Sequence, residues 1–129
     1  MNVAELCLYE AIKICKAGAK IRDIGETIEN IAKSYDMGVI IEFCGHGVGQ
    51  DLHESPSILH YRHNNYEQIM WENMVFTIEP IITENPDPEL IFYDDGWTVG
   101  TQDLSRTAQY EHTIWIKKNG PVILTEIES

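Results

Sequence analysis

Apolar residues recur at helical spacing from the start of the chain: Ala4, Leu8, Ala11, Ile12 and Cys15, with Glu5, Glu10, Lys13 and Lys16 on the other faces. That is the signature of an amphipathic helix, and Gly18 can supply a left-handed stop. Asp23, followed three residues later by Glu26, reads as a capping-box-like start to a second helix. Its stripe is Ile24, Ile28, Ile31 and Tyr35, ended by Gly38. The periodicity then changes. A β-branched run over residues 39–43 leads into a glycine-rich loop, residues 50–73 are polar and irregular, and 75–82, 90–93, 97–101, 107–116 and 122–125 read as strands. Pro86-Asp87-Pro88, Asp95-Gly96 and Asn119-Gly120 punctuate them. Short connections favour antiparallel pairing. Helices first and strands afterwards predict an α+β fold, with two N-terminal helices on one face of a mainly antiparallel sheet. With 129 residues, the chain suits one domain over 1–129.

Composition narrows the partners. A formal net charge of −12 argues against a basic surface for nucleic acid. No apolar run approaches the roughly 18 residues of a membrane span, and the acidic, amphipathic start resembles neither a secretory signal nor an Arg-rich transit peptide. The acidity reads as a solvated face that could also favour metal ions or cationic amino termini. Cys7, Cys15 and Cys44 form no Cys-x-x-Cys pair and leave one thiol over in any disulfide scheme. They fit a reducing compartment, so a cytoplasmic location is expected, with a mitochondrial one open. Each reads as a packing residue.

Chemistry concentrates in three segments. Cys44-Gly45-His46-Gly47-Val48-Gly49, followed by His53-Glu54-Ser55-Pro56, presents a histidine between glycines, where backbone can bend closely around a bound object. Phe76-Thr77-Ile78-Glu79-Pro80 and Ala108-Gln109-Tyr110-Glu111-His112-Thr113 each carry a carboxylate in a predicted strand. Strand alternation puts Thr77 and Glu79 on one face, and Gln109, Glu111 and Thr113 on one face of theirs. The proline after Glu79 biases it to extended backbone. Carboxylates among apolar neighbours are costly unless a cation sits between them. One imidazole and two carboxylates suit zinc, manganese, iron or cobalt. The residues are about thirty positions apart, so spacing alone leaves a shared metal site and separate structural or surface roles both open.

Taken together, these segments resemble type I methionine aminopeptidases, members of the pita-bread metallopeptidases, over nearly the whole chain. Gly-His-Gly-x-Gly with His-x-x-Pro is common to the wider group, which includes prolidases and aminopeptidase P. Phe-Thr-Ile-Glu-Pro, Gln-Tyr-Glu-His-Thr and Asp95-Gly96-Trp97-Thr98 are more particular to the type I enzymes. The resemblance is to the C-terminal half only. It implies that His46, Glu79 and Glu111 are metal ligands, that Glu111 bridges two metals, and that Glu79 also acts on the attacking water. His53 would meet the scissile carbonyl or the transition-state oxygen, and Trp97 would wall the methionine pocket unless it is ordinary core. Leu52 stands where relatives carry a bulky aromatic, which implies a wider or softer pocket. His60, His63 and His112 read as surface or hydrogen-bonding residues.

In that family the preceding half supplies two aspartate ligands and another histidine, and none of the aspartates here stands in their place. The site formed by these residues is therefore expected to hold at most one metal weakly, against two in a complete site. Three readings stay open. In the first, the chain serves N-terminal peptide substrates with a complementary N-terminal half or by self-association, and is inactive alone. In the second it is a shortened, inactive relative that binds peptides or a partner, and in the third an interaction protein or incomplete gene product.

Overall fold

The computed structural model describes residues 2–49, 54–63, 68–92, 99–101 and 106–125. Helix α1, Val3–Lys13, opens at Asn2, whose side chain accepts the Ala4 N–H at 2.8 Å. Helix α2, Arg22–Ser34, has no side-chain cap, and Asp23 lies inside its first turn. The capping-box expectation therefore fails: the cap position is Ile21, two residues before Asp23. Asp23 complements the helix N-terminus by charge instead.

Strands follow as β1 (Gly38–Val39), β2 (Gly45–Gly47), β3 (Glu54–Ile58), β4 (Val75–Ile78), β5 (Ile81–Thr83), β6 (Leu90–Phe92), β7 (Val99–Thr101), β8 (Thr107–Gln109), β9 (His112–Lys117) and β10 (Gly120–Ile123). They form sheets ordered β1-β5-β8, β10-β9-β4-β2-β3 and β6-β7, and every pairing is antiparallel. Helix α1 packs on α2 and over β4, β5 and β8, while α2 covers β1 and β3. Ala4, Cys7, Leu8, Ala11, Ile24, Ile28, Ile58, Phe76, Ile78, Ile114 and Ile116 form one core. The α+β expectation, helices against an antiparallel sheet, is what the chain adopts.

Several expectations shift. Tyr35 is 54% exposed and lies beyond α2. Gly38 does not end α2 but opens β1, and the left-handed turn after the helix is made by Asp36 at φ 56°. The run 39–43 leaves its strand after Val39, because the chain turns at Ile41 and Glu42 to reach the glycine-histidine segment. The described residues between 54 and 73 are less irregular than their polarity suggests. They contain β3, whose Pro56 is tolerated because β3 is the edge of its sheet.

The segment after β3 is clamped to α2. Arg62 reaches Asn30 at 2.8 Å and Glu26 and Glu29 at 3.6 Å. A Cβ on Gly25 would stand 2.2 Å from the Tyr61 carbonyl oxygen and 2.7 Å from that of Leu59. Only glycine lets the helix approach this backbone so closely.

Candidate metal centre

The two predicted long strands are each broken in two, and the break makes the site. β4 pairs with β9 through Thr77↔Thr113 and Ile78↔His112, and β5 pairs with β8 through Ile81↔Gln109 and Ile82↔Ala108. Both ladders share one register, so Glu79 stands opposite Glu111 and Pro80 opposite Tyr110. Proline cannot donate to a ladder, and here the strand pair passes from one sheet to the next. Two carboxylates are thus cross-strand partners, an arrangement that repels unless a proton or cation intervenes.

His46 comes from a third strand. Gly47 pairs with Phe76 of β4, and the β2–β3 register shifts between His46 and Gly47. A Cβ on Gly45 would lie 2.1 Å from the Thr77 carbonyl oxygen, so glycine is needed for β2 to come this close to β4. One donor atom each from His46, Glu79 and Glu111 lies within 4.8 Å of the others. His46 Nε2 is 3.7 Å from Glu79 Oε2. Its Nδ1 faces the Gly47 carbonyl at 3.1 Å. A carbonyl only accepts, so the neutral ring carries its proton on Nδ1 and keeps the Nε2 lone pair toward the carboxylate.

Glu79 is held along its whole length. Its N–H donates to His60 Nε2 at 3.3 Å, and its carbonyl accepts from Gln109 Nε2 at 3.2 Å. Its Oε2 accepts the Thr77 hydroxyl at 3.0 Å, and Thr77 Oγ1 accepts the His46 N–H at 3.0 Å. Burial, opposed by the Thr77 hydrogen bond, raises the Glu79 pKa above the usual carboxylate range, and the Glu111 charge raises it further. A half-buried carboxyl reluctant to ionise, beside a second carboxylate and an imidazole lone pair, is a donor set that a divalent cation would relieve. The residues fit such an ion.

The remaining histidines divide. His60 is buried, and burial takes its pKa down to about 4. Its Nδ1 meets no partner among the described residues. His63 is also buried, and burial, then the Arg22 charge, lowers its pKa. The surface alternative for these two residues is wrong, since the backbone clamped to α2 tucks both rings inward. His112 is a hydrogen-bonding residue, with Nε2 2.9 Å from Tyr9 Oη and Nδ1 2.8 Å from Thr125 Oγ1. Sequence reasoning missed the parts His60, Gln109 and Thr77 play. Only Thr77 and Gln109, on the same strand faces as the two glutamates, gave a signal. His53, Leu52 and Trp97 lie outside the described residues.

Residues 1–118 match metallopeptidase family M24. The methionine aminopeptidase of Buchnera aphidicola from Acyrthosiphon pisum is 44% identical over 124 residues, 96% of this chain and 47% of that protein. That of Escherichia coli K12 is 40% identical with the same coverage. The methionine aminopeptidase structure from Thermotoga maritima superposes with a TM-score of 0.90 at 38% identity, covering 97% of this chain and 50% of its own. A prolidase from Pyrococcus horikoshii gives 0.68 at 28% identity over 98% of this chain and 30% of its own. The chain spans about half the length of the curated relatives it matches.

Proposed function

The chain belongs to metallopeptidase family M24, and from that membership we propose that it supplies half of a metal-dependent site removing N-terminal methionine from short or nascent polypeptides. The observation that carries the reading is Glu79 opposite Glu111, with the His46 imidazole set against the pair. The proposed ligands are His46, Glu79 and Glu111. Cobalt, manganese, iron and zinc all suit the donors.

A divalent ion held by these residues would supply Lewis acidity, lowering the pKa of a water toward neutrality. Glu79, whose carboxylate faces His46 and Glu111, would take the proton from an attacking water. Glu111 would complete the ligand set together with His46 and Glu79. By the family resemblance, His53 would offer a neutral hydrogen bond to the transition-state oxygen, and Trp97 and Leu52 would line the methionine pocket. Three ligands hold at most one ion weakly, so a complementary N-terminal half completes the shell, with self-association as the other route. Phe43 and Tyr110, 40% and 39% exposed and close in sequence to His46 and Glu111, offer apolar surface for that partner. The same surface is what an inactive, peptide- or partner-binding relative would use.

The test is a chimera joining this chain to the N-terminal half of the Escherichia coli relative. Cleavage of a Met-Ala peptide is expected with cobalt or manganese, is abolished by Glu79→Ala, and is negligible for the chain alone. A folded chimera that stays idle, while the same N-terminal half works with its own partner, would refute the proposal. So would turnover of roughly 1 s⁻¹ or more by the chain alone.

A further inference from the structure

Thr77 carries a hydroxyl that the ligand set does not use, and it is one of the few buried polar groups in the sheet. Its Oγ1 accepts the His46 main-chain N–H at 3.0 Å and lies 3.0 Å from Glu79 Oε2. A hydroxyl has one proton. The lone pair facing His46 is taken by a donor, which turns that single proton toward the carboxylate. One side chain therefore ties the backbone of the histidine strand to the side chain of the glutamate.

We infer that Thr77 is a positioning residue for the metal site, orienting the Glu79 carboxylate relative to His46. The inference rests on the reading of His46, Glu79 and Glu111 as metal ligands. The Glu79 backbone is already fixed on both sides, its N–H by His60 and its carbonyl by Gln109. What Thr77 adds is control of carboxylate rotation. It also couples β2 to β4 at the point where Gly45 lets the strands close to backbone contact. Partners of this kind, bound to ligands rather than to metal, set metal affinity by roughly 10- to 100-fold.

Two hydroxyl-on, hydroxyl-off pairs test this in the chain itself: Thr against Val, which keep the branched shape, and Ser against Ala, which lack the methyl. Calorimetry with Mn²⁺ and the visible spectrum of added Co²⁺ are the readouts, with melting curves to establish folding. Thr77→Val and Thr77→Ala should each weaken Mn²⁺ binding by roughly 10- to 100-fold against its hydroxyl partner. Both should change the Co²⁺ band intensity, while Thr77→Ser stays close to the native chain. Metal-free, the His46 amide should exchange faster with solvent in Val and Ala than in Thr and Ser.

Equal affinities within each pair would overturn the inference, as would a loss that follows the methyl rather than the hydroxyl. If Thr77→Val fails to fold, the Ser–Ala comparison decides. A native chain that binds neither ion would instead overturn the metal-site reading, a separate outcome from intact binding indifferent to the hydroxyl.

Discussion

Glu111→Gln keeps the shape of the centre and removes one charge, so it separates repulsion from packing. The donor atoms of the site lie within 4.8 Å of each other. At that distance two unit charges repel by roughly 3.5 kcal/mol at an effective dielectric of about 20, and by roughly 1 kcal/mol at that of water. Glu111 is exposed and Glu79 only half-buried, so solvent and salt screen the pair from one side. The gain should therefore sit near the lower figure. In a chelator at low ionic strength, Glu111→Gln should stabilise the chain by about 1 kcal/mol, a rise of a few degrees in melting temperature. With a divalent ion in excess the sign should reverse. Binding stabilises the folded state by mass action, and a neutral amide oxygen is a poorer ligand than a carboxylate. The pH dependence follows as well. Glu79 has a folded pKa raised from 4.5, by burial first and by Glu111 in part. The native state holds that proton longer than the unfolded chain does, so stability is lost as pH rises from 4.5 through the folded value. Glu111→Gln should lose less. Urea melts with EDTA and with Mn²⁺, at low and high salt, measure all of this. A variant no more stable than the parent in EDTA, or one equally stabilised by Mn²⁺, would refute the reasoning.

Other outcomes follow from packing and burial. His60, held to about 4 from 6.5 by burial, contributes stability that is full above 6.5 and lost as pH falls toward 4, on the order of 3 kcal/mol. His60→Gln should flatten the acid limb of a pH–stability curve measured by urea melts, and an unchanged limb would contradict this. Gly25→Ala should cost more than an exposed helical substitution, because the new Cβ meets the Tyr61 and Leu59 carbonyls rather than a side chain. A loss of about 1–3 kcal/mol in chemical denaturation is expected, and a neutral result would show that α2 can back away. Cys7 and Cys15, buried and pushed up to about 12, should resist alkylation at pH 8 until the chain is unfolded. Mass spectrometry of the native chain would expose any error.

The two helices were legible because nothing competes with their periodicity. Leu8, Ala11 and Ile12, then Ile24 and Ile28, face the core as their spacing requires. Their ends were less legible, since Asp36 took the left-handed position although glycine stood two residues away. The strands could be found but not their breaks. A run such as 75–82 keeps its alternation across Glu79-Pro80, and only the partner strand reveals that it changes sheet there. For the site, residue types and motifs pointed to His46, Glu79 and Glu111, whereas their convergence depends on register and on the backbone contact at Gly45. Neither is a property of a local window. His60 was hardest to read, because a polar segment suggests solvent. Its burial comes from Arg62 and Gly25 clamping that segment to α2.

The places where local rules fail coincide with the chemistry. A strand pair selected for stability alone would set opposite charges across its ladder and keep proline out of its interior. This chain sets Glu79 against Glu111 and follows the first with Pro80, while His60, Gln109, Thr77 and the His46 backbone hold the glutamate where the repulsion is felt. The Glu79 carboxylate cannot turn away without breaking that network, so the repulsion it meets is relieved by a cation or proton that binds between it and Glu111. Metal affinity and the stability of the β4–β9 and β5–β8 ladders are then one linked quantity, since an ion bound to the folded chain must strengthen the ladders by as much as folding strengthens the site. Hydrogen exchange at Ile78 and His112, which flank the bend, should slow when Mn²⁺ is added, and slow less in Glu111→Gln. Exchange there that ignores the ion would mean that the carboxylate pair is not what holds the two strands in register.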